Sequence, residues 1–149
     1  MEEIFRSIFL ACKEITWLKQ ISADEGQLES VDEEGRPKPV ALLPCLLIDV
    51  QRTQWEAGDI TEQYGFATIV TRFAYRKLTD QSSLTREDAF NASIDALKRR
   101  SEIESAIVNY LSETSNGRLS RISTEREHRG DGIIVYRTTW GCSVFESLA

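Results

Sequence analysis

VALLPCLLIDV, residues 40–50, is the most apolar stretch of the chain. Both of its alternating faces are apolar, which is typical of a strand that is covered on both sides. Pro44 lacks the amide N–H that a strand would pair, so the strand either bends at this residue or begins after it. We predict a central strand of a sheet here. The stretch contains Asp49 and is too short to span a bilayer.

The residues that follow predict a partner for this strand. The segment from Trp55 to Ile60 contains Gly58 and is typical of a loop. From Phe66 to Arg76 apolar and polar side chains alternate, as in a half-buried strand. The connection between the two strands is too short for a crossover helix, so we expect them to be antiparallel.

A second pair of strands is predicted near the C-terminus. Apolar residues alternate from Ile134 to Val144, and Trp140 lies on the face that they share. Leu119 to Glu127 is a candidate for the partner strand. The turn between them is expected at Arg129-Gly130-Asp131-Gly132, because an Asp-Gly pair supplies the positive φ angles of tight hairpins.

The N-terminal region predicts an amphipathic helix followed by a long loop. Apolar residues recur at spacings of three and four between Ile4 and Leu18. The segment from Ala23 to Lys38 is acidic and contains many turn residues. We expect it to be a surface loop with solvated carboxylates, and a short strand at Gln27 to Ser30 within it is an alternative.

The centre of the chain predicts one kinked helix or two helices. Thr85 followed by Asp88 resembles an N-terminal capping arrangement, and Ser101 with Glu104 repeats it. The apolar stripe ends at Ser115-Asn116-Gly117. Together the elements predict a single α+β domain over residues 1–149, in the order α-β-β-α-(α)-β-β. One N-terminal helix and one or two central helices would pack on a mostly antiparallel sheet of about four strands.

Charge and composition argue against several classes of partner. The formal net charge of −6 opposes binding to phosphate backbones, which depends on clustered cations. The one basic cluster, Lys98-Arg99-Arg100, is expected at the end of a helix, where cations complement the helix dipole. Met1-Glu2-Glu3 lacks the positive charge of a secretory signal. We therefore expect cytoplasmic synthesis, no membrane span and no recognition of nucleic-acid sequence.

No set of residues predicts an active site. The only histidine, His128, lies beside the predicted hairpin turn in a polar setting. Cys12, Cys45 and Cys142 fall on apolar faces, as core thiols do, and lie too far apart in sequence for a structural zinc site. The acidic loop does not match an EF-hand. We predict a non-enzymatic protein with no catalytic residue, metal or cofactor, while an enzyme built from Asp, Glu, Tyr or Arg without a readable motif stays an alternative.

Several short stretches carry a resemblance to a known family. Gly26-Gln27-Leu28-Glu29, the stretch from Pro39 to Asp49, Trp55 in its loop and the strand from Ala67 to Tyr75 resemble small proteins of prophage tail-morphogenesis regions in Bacteroides-type bacteria. Those proteins are similar to the tail-terminator and head-tail-joining (tail completion) proteins of tailed phages. The resemblance implies a structural protein that associates head to tail in a ring, commonly a hexamer, at the end of the tail tube.

That resemblance also implies partners and a location. The partners would be further copies of the chain and the tail-tube or head-tail connector proteins, first in the host cytoplasm and then in the virion tail. The expected contact elements are the loop from Trp55 to Gln63, the acidic loop near Asp32 and an exposed strand edge. Trp55 is a candidate interface anchor, and a tryptophan that folds back over the core is the alternative. The alternative function is an acidic, immunity-like adaptor that binds a basic partner.

Overall fold

The computed structural model describes residues 2–56, 58, 61–77, 86–114 and 119–147. Within these residues two helices and five strands occur in the chain order α1 (Glu2–Cys12), β1 (Gln20–Ala23), β2 (Cys45–Trp55), β3 (Glu62–Arg76), α2 (Arg86–Thr114), β4 (Ser120–Arg126) and β5 (Ile133–Ser147). The strands form one sheet in the order β1-β2-β3-β5-β4. The predicted α+β class is confirmed.

The sheet is mixed and has five strands, so the prediction of about four antiparallel strands is only partly right. β1 pairs in parallel with the start of β2, with Gln20 opposite Cys45 and Ala23 opposite Ile48. Four residues are too few to show the alternation that identifies a strand in a sequence. The connection from β1 to β2 is residues 24–44, which we call the cover loop. The short strand considered at Gln27 to Ser30 is absent, since this fully described segment forms turns.

The predicted antiparallel pairs are present. β2 pairs with β3, β3 with β5, and β5 with β4, all antiparallel. β2 begins directly after Pro44 and includes Trp55, so the prediction of a loop at Trp55 is wrong. The turn between β4 and β5 contains Asp131 and Gly132, and Gly132 has the expected positive φ of 76°. The connection covers residues 127–132, so it is longer than the two-residue loop of a tight hairpin.

The central helical region is one helix of 29 residues. Ser101 and Glu104, interpreted as a second cap, lie inside α2, whereas Thr85 and Ser115-Asn116-Gly117 lie outside the described residues. Lys98-Arg99-Arg100 also lies inside α2, so the prediction that this cluster complements a helix terminus is wrong. Arg99 instead lies over the ring of Trp17 at 5.1 Å, and Arg100 lies over the ring of Tyr136 at 5.0 Å. Both are cation–π contacts that attach α2 to its neighbours.

Each face of the sheet has its own apolar core. The core on the face that carries the helices includes Ile8 and Cys12 of α1, Ile103 and Ile107 of α2, and Trp140 of β5. The core on the opposite face, beneath the cover loop, consists of Leu28, Cys45, Leu47, Ala74, Ile133 and Val135. The cover loop thus takes the place of a second layer of helices. This explains why the start of β2 is apolar on both faces.

The three cysteines are buried thiols, as predicted. Burial raises the pKa of Cys12 to about 12 and that of Cys45 to about 11, and it also raises the pKa of Cys142. The thiols are therefore protonated at neutral pH, and a protonated thiol is a poor nucleophile.

Candidate interaction surface

Arg72 attaches the cover loop to the sheet. Its guanidinium donates to Glu127 at 2.9 and 2.8 Å, to Asp24 at 3.1 Å and to Glu29 at 2.5 Å. The expectation that the carboxylates of the acidic loop are solvated is therefore wrong for Asp24, whereas Glu29 pairs with Arg72 but stays about half exposed. Burial acts to lower the pKa of Arg72, but the hydrogen bonds that its guanidinium donates to the carboxylates outweigh this effect and raise the pKa. The arginine is always charged, and its charge is matched by carboxylates from two segments.

A second arginine extends this attachment to the hairpin turn. Arg129 donates to the carbonyl oxygen of Leu28 in the cover loop at 2.6 Å and to the carboxylate of Asp131 at 2.6 Å. The Asp131 pKa is lowered, chiefly by the hydrogen bond from Arg129. Asp32, an expected contact residue, accepts hydrogen bonds from the backbone N–H groups of Glu34 and Arg36, both at 2.9 Å. Its side chain therefore stabilises its own turn.

The cover loop packs over only one end of this face of the sheet. Exposed apolar side chains lie at the other end of the same face. This distal end is formed by the last residues of β2 and β5 and the first residues of β3 and β4. Four large side chains, which we call the distal patch, are about half exposed: Tyr64 56%, Phe66 48%, Ile122 59% and Phe145 52%. Exposed apolar groups that adjoin one another are typical of interaction sites.

The alternation of β3 and β5 sets the direction of these side chains. Trp140 is fully buried in the core beneath the helices, so Gly141, the next residue of β5, faces the opposite side of the sheet. The ring of Phe66 and the δ-methyl group of Ile122 lie over Gly141, where a Cβ would overlap the ring. Tyr64 lies opposite Phe145, with ring centroids 5.0 Å apart. The four side chains are therefore neighbours on one face.

Trp55 does not belong to the distal patch. It pairs with Gly65, and its ring lies over that glycine. Gly65 alternates with Tyr64 and Phe66, so the Trp55 ring is on the other face of the sheet. Trp55 is 36% exposed. Its role as an interface anchor stays a prediction. Of the predicted contact loop, Ala57, Asp59 and Ile60 lie outside the described residues.

A separate pair of exposed apolar side chains lies on the cover loop. Val40 is 62% and Leu42 64% exposed, while their neighbours Ala41 and Leu43 pack against the core beneath the loop. Gln20 holds this part of the loop, since its side-chain oxygen accepts a hydrogen bond from the Leu42 N–H at 2.9 Å. Val40 and Leu42 thus lie over the covered end of the same face of the sheet.

The sequence alone does not identify the distal patch, because its members come from three strands. Phe66 and Phe145 look like ordinary strand residues, and Ile122 lies where the register of β4 shifts against β5, between Arg121 and Ser123. His128 is exposed beside the hairpin turn, as expected. Among the described residues no three His, Cys, Asp or Glu side chains are grouped to hold a metal ion.

Comparisons with known proteins give no family for the chain. No protein-family model matches it, and no curated protein sequence matches it. Within the part of the chain that is described, no helix is both long enough and apolar enough to cross a membrane.

Proposed function

We propose that the chain is a non-enzymatic assembly protein of a phage virion, a tail terminator or head-tail connector that forms a ring at the end of the tail tube. The observation that carries this proposal is the distal patch, an apolar surface built from three strands and left open by the cover loop. The resemblance in sequence suggests that the assembly is a ring. The distal patch is an exposed apolar surface through which one subunit can contact another.

A ring of identical subunits needs two different surfaces that complement each other. In a head-to-tail contact one surface of each copy binds the other surface of the next copy, and the chain of contacts closes when the rotation per subunit allows it. The distal patch and the Val40–Leu42 pair are two such apolar surfaces, at opposite ends of one face of the sheet. We assign them to the two sides of the subunit contact.

The rigidity of the cover loop favours this assignment. Arg72 and Arg129 bind the loop to β3, β4 and the hairpin turn through buried or half-buried hydrogen bonds. A surface that is ordered before binding loses little conformational entropy on association. Val40 and Leu42 are joined to this part of the loop and to β1, because the Val40 N–H donates to the Gln27 carbonyl oxygen and the Leu42 N–H donates to the Gln20 side chain, both at 2.9 Å.

Light scattering coupled to size exclusion, followed by electron microscopy of the largest species, tests the proposal. The protein alone should form closed rings as its concentration rises. If it stays monomeric at every concentration and binds neither itself nor the end of a purified tail tube, the proposal is wrong.

An acidic adaptor is the second candidate, and the exposed carboxylates favour it. Glu25, Glu33 and Glu34 lie on the solvent side of the cover loop, and the chain carries a net charge of −6. Such a surface accelerates association with a basic partner. A monomer that forms a one-to-one complex with a basic bacterial protein, with an association rate that falls steeply as salt rises, would favour the adaptor over the ring.

A further inference from the structure

A cavity of about 510 Å³ lies between the first half of α2 and the sheet, where β3 ends and β5 begins. We call it the α2 pocket. Its helical wall includes three small residues at helical spacing, Ala89, Ala92 and Ala96. Its floor and opposite wall include Phe73, Tyr75 and Ile134. The alanines leave open the space that larger residues at these positions would fill. The volume is within the range of sites that bind small molecules.

The charge of the pocket is opposite to that of the chain. Among its described lining residues, Arg76, Lys77, Arg99 and Arg126 are cationic, and Asp95 is the one carboxylate. The chain as a whole carries −6. Cations that line a concave site with low-dielectric walls raise the local concentration of anions. The pocket therefore favours an anion in a protein that otherwise repels anions.

The aromatic rings of the floor add an apolar contact surface. The rings of Phe73 and Tyr75 are 5.3 Å apart, and those of Tyr75 and Tyr136 are stacked at 6.5 Å. Burial, and secondarily the neighbouring Tyr136, raises the pKa of Tyr75 to about 12, against the opposing effect of Arg126 and Arg100. The Tyr75 phenol is thus protonated at neutral pH and is hydrogen-bonded to Tyr136.

We infer that the α2 pocket binds a small organic anion, a phosphate or carboxylate joined to a flat apolar ring. Guanidinium groups match the geometry of carboxylate and phosphate oxygens in paired hydrogen bonds. The ring of such a ligand would contact Phe73 and the alanines of α2, while its anionic group would reach Arg76 and Arg126 at the wall. The site lies outside the distal patch and does not depend on the proposed assembly.

NMR titration of the whole protein tests this inference with phenyl phosphate and adenosine monophosphate as probes. Phenol, adenosine and inorganic phosphate serve as matched compounds that carry only the ring or only the anion. At least one of the two probes should produce saturable shifts of the amide signals of Phe73, Ala92 and Ile134. It should bind about tenfold more tightly than either of its parts, a difference of about 1.4 kcal/mol in binding free energy.

Three variants identify the site. Arg126→Glu should weaken the binding of the probe about tenfold or more, because it replaces an attraction by a repulsion. Arg52→Glu, which reverses an exposed arginine on β2 outside the pocket, is the matched control and should leave the dissociation constant unchanged. Ala92→Leu should block binding by filling the space, and it keeps the test decisive if Arg126→Glu does not fold.

Three results would overturn the inference. The first is that neither probe gives saturable shifts at the pocket. The second is that the ring or the anion alone binds as well as the joined probe. The third is that the control variant weakens binding as much as the pocket variants do.

Discussion

Arg72 and Glu127 form a two-pronged ion pair, with the guanidinium Nε and Nη2 atoms 2.9 and 2.8 Å from the two carboxylate oxygens. The Arg72 side chain is only 9% exposed and the Glu127 side chain 22%. Arg72 lies in β3, the middle strand of the sheet, and Glu127 lies just after the edge strand β4. The same guanidinium also holds Asp24 and Glu29 of the cover loop. One buried cation therefore connects the sheet, its edge and the cover loop.

Removal of the Glu127 charge should destabilise the fold. Glu127→Gln takes away a charged partner of a buried arginine, and hydrogen bonds to charged groups contribute about 2 kcal/mol each. We expect a loss of about 2 kcal/mol in the free energy of unfolding, measured in urea. Glu125→Gln removes an exposed carboxylate from the same segment and is the control, with an expected change within about 0.5 kcal/mol. Equal losses in the two variants would contradict the role of Arg72.

The contribution of Asp131 should depend on pH in a defined direction. Its folded-state pKa is lowered from 3.8, first by the hydrogen bond from Arg129. A lowered pKa gives stability that is fully present above the unfolded pKa and is lost as the pH falls through the folded pKa. Asp131→Asn should therefore cost about 1 kcal/mol at neutral pH and progressively less below about pH 4. Urea unfolding at neutral pH and below about pH 4 measures the difference between the two costs. A cost that is the same at both would show that the carboxylate charge does not matter.

The buried hydrogen bond of Trp140 should also be measurable. The indole N–H donates to the Thr71 hydroxyl at 2.9 Å, and both residues are buried. Thr71→Val would leave the N–H without its acceptor, and an unsatisfied buried donor costs about 2 kcal/mol. Thr139→Val, at a half-buried residue that faces the other side of the sheet, is the control and should cost much less. Thermal unfolding of the two variants compares the costs, and a similar loss in both would argue against this hydrogen bond.

The three thiols should be unreactive in the folded protein. Their burial and raised pKa values leave almost no thiolate at pH 8. We expect thiol reagents to label Cys12, Cys45 and Cys142 only at the rate at which the protein opens, and all three at once in denaturant. Mass spectrometry of the labelled protein follows each site. Fast labelling of any one of them under native conditions would contradict its placement in a core.

The sequence predicts the elements whose signals are local. The period of the N-terminal helix, the alternation of β3 and β5 and the turn at Asp131-Gly132 each depend on neighbouring residues. All three elements are present, although the helix ends at Cys12, before Leu18. β1 was missed because four residues carry too little pattern, and its partner is distant in sequence. The sequence predicts a loop at Trp55 because the polar residues around it do not show the apolar pattern of a strand, although they form the end of a long one.

The surfaces depend on contacts between distant residues, which a single sequence does not show. Asp24 and Glu29 look like solvated acids until Arg72, more than forty residues away, is placed beneath them. The cations of the α2 pocket come from the end of β3, the middle of α2 and the end of β4. The distal patch likewise combines β3, β4 and β5. Sequence patterns therefore predict the helices and strands, but not which distant side chains combine into one surface.

The central claim is that the distal patch of one copy binds the Val40–Leu42 surface of the next. Two double variants separate the two sides of this contact: Phe66→Ser with Phe145→Ser, and Val40→Ser with Leu42→Ser. Each replaces side chains that are about half exposed or more, so each should fold. Phe90→Ser, at a phenylalanine of α2 that is 63% exposed, is the matched control and should assemble like the unchanged protein.

The decisive measurement is light scattering of the two double variants, alone and mixed in equal amounts. A head-to-tail contact predicts that each variant alone is a monomer, because one side of every contact is missing. It predicts that the mixture forms dimers and nothing larger, because one intact side remains on each partner. Rings formed by either double variant, or a mixture that stays monomeric, would contradict the claim.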